Sequence, residues 1–120
     1  MKDRKILVIS EDPALINTLE ENFPGSGYQV IYTEQAGDGL KKVLELLNPD
    51  LIIVDIVMPR MEGVELCLLI RQWCSAPILM LTAWRARSDS IRKLDLSRES
   101  CLSEPFSFPE LIKRIERALS

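Results

Sequence analysis

Short runs of apolar residues recur at regular intervals along the chain and predict five β-strands. The runs are Lys5–Ile9, Tyr28–Thr33, Leu51–Val54, Pro77–Leu81 and a weaker one at Cys101–Leu102. Polar and apolar residues do not alternate within Leu51–Val54, which is apolar at every position. Such a continuous run is typical of a strand buried on both faces, as in a parallel sheet covered by helices.

The segments between these runs carry apolar residues at helical spacing, and Asp12-Pro13 forms an N-cap and first-turn pair before the first of them. The apolar positions are Leu15, Ile16, Leu19 and Phe23; Leu40, Val43, Leu44 and Leu47; Val64, Cys67, Leu68 and Leu69; Ile91 and Leu94 in a weaker helix over 85–96; and Phe108, Leu111, Ile112, Ile115 and Leu119. Five strands alternating with five helices through right-handed crossovers predict one domain over 1–120, an open, doubly wound α/β sandwich.

Composition narrows the classes of function. The 120 residues are 47% hydrophobic and 28% charged with a net charge of −3, which indicates a globular domain without direct nucleic-acid binding. No apolar run approaches the roughly 20 residues that cross a bilayer. The absence of histidine excludes histidine-based catalysis and most zinc sites. Three cysteines without C-x-x-C spacing favour reduced thiols in a cytoplasmic protein.

Polar residues follow several of the predicted strands, where ligands bind in doubly wound sheets. Ser10-Glu11-Asp12 follows the first strand, Asp55 the third, Thr82 the fourth and Glu104 the fifth. Carboxylates that meet at one sheet edge repel each other unless they share a proton or hold a hard cation, and oxygen ligands favour Mg²⁺. For Asp12 the simpler interpretation is a helix cap. For Asp55 we expect a functional role rather than only the start of a turn.

The chain resembles a known family, the receiver domains of two-component response regulators. The segment Leu51–Gly63, with Asp55 before Met58-Pro59, is similar to the family's phosphoacceptor segment. Thr82-Ala83 and Pro105-Phe106 are similar to the pairs that follow its fourth and fifth strands. The resemblance covers essentially the whole chain and implies a flavodoxin-like (βα)5 sandwich, with a five-stranded parallel sheet between helices on both faces.

The resemblance implies that a histidine kinase or phosphotransfer protein donates a phosphoryl group to Asp55. It implies Mg²⁺ bound by Glu11, Asp55 and the backbone carbonyl of Val57, with Asp12 as a further candidate ligand. Thr82 would hydrogen-bond a phosphoryl oxygen. The expected protein is a phosphoacceptor and not an enzyme, beyond self-phosphorylation and autodephosphorylation.

Three positions depart from the pattern of this family. Ser10 stands where the first residue of an acidic pair is expected, although a one-residue slip would present Glu11-Asp12 as the pair. Glu104 replaces the lysine that grips the phosphoryl group in the family, which changes the local charge by two units. Cys101 stands where the family usually has an aromatic switch residue, and a small thiol lacks the ring that would couple Thr82 to the output face.

The resemblance also implies a partner-binding face over residues 85–119, for an output domain, a partner protein or a second copy of the chain. Residues 85–98 hold five basic and two acidic side chains, which suits an acidic partner or a solvated helix face. No membrane contact is expected. Whether the 120 residues are a whole protein or the N-terminal part of a longer response regulator is open.

Two alternatives to the phosphorelay role follow from the same residues. The departures at Ser10, Glu104 and Cys101 together suggest a receiver-like module that binds partners independently of phosphate. A small metal-dependent hydrolase could use the same carboxylates, but the sequence offers neither a positioned base nor a sizeable substrate pocket for it.

Glu104→Lys tests the missing cation. One uncompensated unit charge near a phosphoryl oxygen is worth about 2–4 kcal/mol at intermediate dielectric. We therefore expect the variant to accept a phosphoryl group from acetyl phosphate about tenfold faster or more, measured by intact mass against time. Glu116→Lys makes the same charge change on the final helix and serves as the control. An unchanged rate in Glu104→Lys would mean that Ser10 or the pocket shape limits phosphorylation.

Overall fold

A five-stranded parallel sheet forms the centre of the protein in a computed structural model, which describes residues 4–33, 38–56, 62–82, 101–103 and 106–120. The strands are β1 (Arg4–Ile9), β2 (Tyr28–Thr33), β3 (Leu51–Ile56), β4 (Ile78–Thr82) and β5 (Cys101–Ser103). Their spatial order is β2-β1-β3-β4-β5, and every neighbouring pair is parallel. The prediction of a parallel sheet is therefore confirmed.

The described residues include four helices on the two faces of this sheet. They are α1 (Pro13–Asn22), α2 (Asp38–Leu47), α3 (Glu62–Trp73) and α4 (Phe108–Leu119). The predicted helix over 85–96 lies outside the described residues. The described residues form five strands and four helices. Among the described residues, no helix has the length and apolar character that a membrane crossing requires.

Local sequence signals explain where two of these helices begin. The side chain of Asp12 accepts a hydrogen bond from the Ala14 N–H, and a proline occupies the first turn of α1. Helix α4 begins with a capping box, in which Ser107 and Glu110 each accept a hydrogen bond from the other's backbone N–H. Both helices thus satisfy N–H groups that would otherwise lack partners.

The sheet is buried on both faces, which divides the core into two layers. Ile6 and Val8 of β1 face the layer covered by α1 and α4. Leu7 and Ile9 of the same strand face the layer covered by α2 and α3. All four side chains are at most 5% exposed. This burial explains why the central runs do not alternate with polar residues.

Two helices differ in detail from the sequence pattern. Phe23 lies just after α1 rather than within it, although it is still buried in the core. Helix α3 has apolar residues on more than one face: Cys67 and Ile70 face the core, whereas Leu68 and Leu69 are 48% and 37% exposed. The 3.6-residue period turns positions 68 and 69 away from the sheet when 67 and 70 face it.

The predicted cysteine chemistry agrees with the structure where the side chains are described. Cys67 is buried, Cys74 is half-buried just beyond the end of α3, and both are reduced thiols. Both pack in the same core layer.

The register between β1 and β3 is fixed by hydrogen bonds just outside the paired residues. Ile6 pairs with Leu51, an offset of 45 residues. At the same offset, the Lys5 N–H donates to Asp50 Oδ2 at 2.7 Å, and the Asp50 N–H donates to the Lys5 carbonyl oxygen at 2.8 Å. These reciprocal bonds hold the amino ends of the two strands level, so their carboxyl ends also coincide.

Leu79→Ala tests the contribution of the buried sheet. Because Leu79 is fully buried, we expect the free energy of unfolding to fall by about 2–5 kcal/mol. Leu46→Ala is the matched control, since Leu46 is 88% exposed, and we expect it to change stability by less than about 0.5 kcal/mol. Urea denaturation measures both. Equal losses in the two variants would contradict this description of the core.

Candidate functional site

Ser10 lies directly after β1 and is a buried polar residue with a specific set of partners. Its side chain is 4% exposed. Its backbone N–H donates to the Thr33 carbonyl oxygen at the end of β2, with an N···O distance of 3.2 Å. The pairing of Ile9 with both Thr33 and Val54 places Ser10 between the carboxyl ends of β2 and β3.

The hydroxyl group of Ser10 contacts the residue predicted to be the phosphoacceptor. Ser10 Oγ donates to Asp55 Oδ2 at 2.8 Å, again across a separation of 45 residues. Asp55 is half-buried. A hydrogen bond from a hydroxyl to a carboxylate oxygen is charge-assisted and stronger than one between neutral groups. The side chain of Asp55 is therefore held in a defined orientation at the edge of the sheet.

Asp55 lies within β3, whereas the sequence pattern ended this strand at Val54. The pairing continues through Asp55 with Leu81 and Ile56 with Thr82. Thr82 is likewise the last residue of β4 rather than the first residue after it. Backbone pairing does not depend on side-chain polarity. Both strands therefore extend beyond the apolar runs from which they were predicted.

Asp12 is the N-cap of α1, and this interpretation of its side chain is confirmed. Asp12 Oδ1 accepts a hydrogen bond from the Ala14 N–H at 3.0 Å. The backbone N–H of Asp12 donates to Ser10 Oγ, also at 3.0 Å. Ser10 therefore accepts one hydrogen bond from the start of α1 while it donates another to Asp55.

Glu11 lies between these two residues and is exposed. The contact with Asp55 is made by Ser10, the first residue after β1. The role of Glu11 as a metal ligand stays a prediction. Among the described residues, no three cysteine, aspartate or glutamate side chains are grouped closely enough to form a metal site.

The remaining predicted site residues are placed only in part. Thr82 pairs with Ile56 and Ser103, which brings the ends of β3, β4 and β5 to the same edge of the sheet as Ser10. Cys101 lies in β5, where it pairs with Met80. Val57 and Glu104 lie outside the described residues, as does the segment over 83–100.

The location of this edge agrees with the rule for ligand binding in open α/β sheets. After β1, the chain passes to β2 on one side of it and then returns to β3 on the other side. Such a reversal of strand order leaves a crevice at the carboxyl ends of the strands. Ser10 directly follows β1 and Asp55 is the next-to-last residue of β3, so both lie at this crevice. The sequence identified both residues, but it did not predict that they hydrogen-bond to each other.

Comparisons with known proteins give one consistent family. A family model described as the response regulator receiver domain matches residues 6–116. The chain is 36% identical over 98% of its length to the alkaline phosphatase synthesis transcriptional regulatory protein PhoP of Bacillus subtilis (strain 168) and covers 49% of that protein. It is 32% identical over 95% of its length to the transcriptional regulatory protein KdpE of Mycobacterium tuberculosis (strain ATCC 25618 / H37Rv) and covers 50% of it. The chain thus spans about half the length of these relatives.

Solved structures show the same fold. The receiver domain of TorR, the response regulator of a TMAO respiratory system, superposes with a TM-score of 0.80 at 27% identity, covering 97% of this chain and 96% of that one. The beryllofluoride-activated NtrC receiver domain superposes with a TM-score of 0.73 at 25% identity, covering 99% and 96% of the two chains.

Asp12→Ala and Asp12→Asn test the helix-capping role of Asp12 in the absence of metal. In protein without divalent cations, we expect Asp12→Ala to lower the free energy of unfolding by about 1 kcal/mol, because the Ala14 N–H loses its partner. Asp12→Asn should retain most of the stability, since asparagine caps helices about as well as aspartate. Glu21→Ala, an exposed change on the same helix, is the control for urea denaturation. Unchanged stability of Asp12→Ala would contradict the capping role.

Proposed function

Because this chain belongs to the response regulator receiver domain family, we propose that Asp55 accepts a phosphoryl group from a histidine kinase or phosphotransfer protein. The observation that carries the proposal is the placement of the Asp55 carboxylate, half-buried and held by Ser10 Oγ at 2.8 Å, at the crevice between β1 and β3. A carboxylate in a fixed orientation is a suitable nucleophile for a reaction that depends mostly on positioning and charge stabilisation.

The transfer itself requires little from the protein besides this placement. An oxygen of the Asp55 carboxylate forms a bond to phosphorus while the bond from phosphorus to the donor nitrogen breaks. Thr82 ends the neighbouring strand β4, and its register opposite Ile56 supports the proposal that its hydroxyl binds a phosphoryl oxygen. The negative charge of the phosphoryl group would then change the contacts at this edge, as in other phosphorylation switches.

Mg²⁺ is the metal that the family implies, and the residues near Asp55 fit it in chemical kind. Asp55 is a carboxylate at the crevice, and Glu11 is an exposed carboxylate at the end of β1, so both are hard oxygen donors. We propose that they bind Mg²⁺ together with the backbone carbonyl of Val57. The cation would neutralise charge on the phosphoryl oxygens during transfer. Ser10 is neutral, so we expect weaker Mg²⁺ binding than a site with two acidic residues provides.

We propose that the phosphorylation state is passed on through the face formed by residues 85–119. The described part of this face includes α4, which buries Leu111 and Ile115 and exposes Lys113 and Arg117. PhoP and KdpE are transcriptional regulators of about twice this length. An output domain, a partner protein or a second copy of this chain is therefore the proposed partner. The cytoplasmic location stays a prediction.

Acetyl phosphate tests Asp55 as the acceptor. We expect the intact mass of the wild-type protein to increase by one phosphoryl group in the presence of Mg²⁺, and the increase to disappear when EDTA replaces the metal. Asp55→Asn should show no increase, because an amide does not replace the carboxylate nucleophile. Glu45→Gln neutralises an exposed acidic residue on α2 and should behave as the wild type.

The outcome also decides between the phosphoacceptor role and the phosphate-independent binding module. An increase in mass that persists in Asp55→Asn would place the acceptor elsewhere and contradict the proposal. The same is true if neither acetyl phosphate nor a phosphorylated histidine kinase modifies the folded protein. In that case the phosphate-independent binding module is supported, and Asp55→Asn should bind its partner as tightly as the wild type does.

A further inference from the structure

Three groups at the edge of the sheet form a continuous chain of hydrogen bonds. The backbone N–H of Asp12 donates to Ser10 Oγ at 3.0 Å, and the Ser10 hydroxyl donates to Asp55 Oδ2 at 2.8 Å. Both hydrogens therefore point towards the carboxylate. Asp12 also caps α1 through its contact with the Ala14 N–H at 3.0 Å. These hydrogen bonds thus join the carboxylate of β3 to the first turn of α1, the helix that follows β1.

The alignment of these bonds makes them interdependent. A hydroxyl that donates to a negatively charged oxygen becomes a better acceptor for a second donor, because each bond polarises the next. Ser10 is 4% exposed, which limits the access of water that could replace a weakened partner. A change of charge on Asp55 therefore changes the strength of the hydrogen bond that the Asp12 N–H donates to Ser10.

We propose that Ser10 is a positioning residue that orients Asp55 and couples the charge of its carboxylate to the N-terminus of α1. The proposal rests on the function of Asp55 as phosphoacceptor. When Asp55 Oδ2 belongs to a carboxylate, the Ser10 hydroxyl donates to a charged oxygen. When a phosphoryl group is attached, the carboxylate becomes an acyl phosphate. Its negative charge then lies on the phosphoryl oxygens rather than on the carboxyl oxygens, so both hydrogen bonds of Ser10 weaken.

The chemistry of serine is necessary for this coupling. A hydroxyl group is both a donor and an acceptor, whereas an ionised aspartate accepts only and an alanine side chain does neither. An acidic residue at position 10 could not donate to Asp55 and would instead repel it. Ser10 therefore provides a contact that the acidic pair expected at this position could not provide. Ser10 contacts Asp55 from the β1 side of β3, whereas Thr82 and Cys101 lie on the opposite side of β3, in β4 and β5.

Amide chemical shifts test the coupling without any phosphorylation. Asp55→Asn removes the charge of the side chain but keeps its shape. In the wild-type background we expect this change to move the Asp12 amide proton upfield, because its hydrogen bond to Ser10 weakens. The same change should have the same effect in the Ser10→Thr background, where a hydroxyl remains. It should leave the Asp12 amide unmoved in the Ser10→Ala background.

Ser26→Ala provides a matched control. Ser26 Oγ accepts from the Tyr28 N–H at 3.3 Å, which is the same two-residue arrangement as Ser10 with Asp12. Ser26→Ala should shift the Tyr28 amide and leave the response of Asp12 to Asp55→Asn intact. Amide spectra of each variant also show whether it is folded. If Ser10→Ala does not fold, the wild-type and Ser10→Thr backgrounds still test the coupling.

Two results would overturn the proposal. One is an Asp12 amide that does not respond to Asp55→Asn in the wild-type background. The other is a response that persists unchanged in Ser10→Ala, which would mean that the charge acts through space or through another path.

Phosphorylation provides the second arm and separates this proposal from the function on which it rests. Acetyl phosphate with Mg²⁺ should shift the Asp12 amide in the wild type and in Ser10→Thr. An increase in mass without this shift refutes the coupling and leaves Asp55 as the acceptor. A response of Asp12 to Asp55→Asn, without any increase in mass from acetyl phosphate or from a phosphorylated histidine kinase, supports the coupling and refutes the phosphoacceptor role.

Discussion

The rest of the structure depends on the pairing of β1 with β3 at a single register. Both strands are buried on two faces, so a shift by one residue would move each side chain into the wrong core layer. Hydrogen bonds at the same offset of 45 residues hold the pair at both ends, between Lys5 and Asp50 at one end and between Ser10 and Asp55 at the other. Burial thus confines polar chemistry to the strand ends, and the register decides which polar residues meet there.

Much of the fold could be predicted because burial on both faces leaves a clear trace in the sequence. The apolar runs located all five strands to within two residues, and Asp12-Pro13 located the start of α1. The sequence did not show which apolar residues of α3 face the core, because apolar side chains such as Leu68 and Leu69 can also lie exposed on a helix surface. The extension of β3 through Asp55 was missed because the boundary was set where apolar residues end.

The candidate site was predicted in its residues but not in its contacts. The sequence identified Ser10 only as the loss of a negative charge, whereas the structure shows a hydroxyl that donates to Asp55 and accepts from Asp12. A contact across 45 residues depends on the register of two strands, and a pattern of apolar positions constrains that register only loosely. The capping role of Asp12 was easier to predict, since a cap depends on residues two positions apart.

The same long-range pairing has a consequence for how the protein folds. The bond between Ser10 and Asp55 joins residues that are distant along the chain, so it cannot form in an isolated hairpin or helix. Contacts of high sequence separation require loop closure first and are acquired slowly. The arrangement around Asp55 is therefore assembled only in chains whose central strands have already joined, and a nascent or partly unfolded chain presents an aspartate without its oriented surroundings.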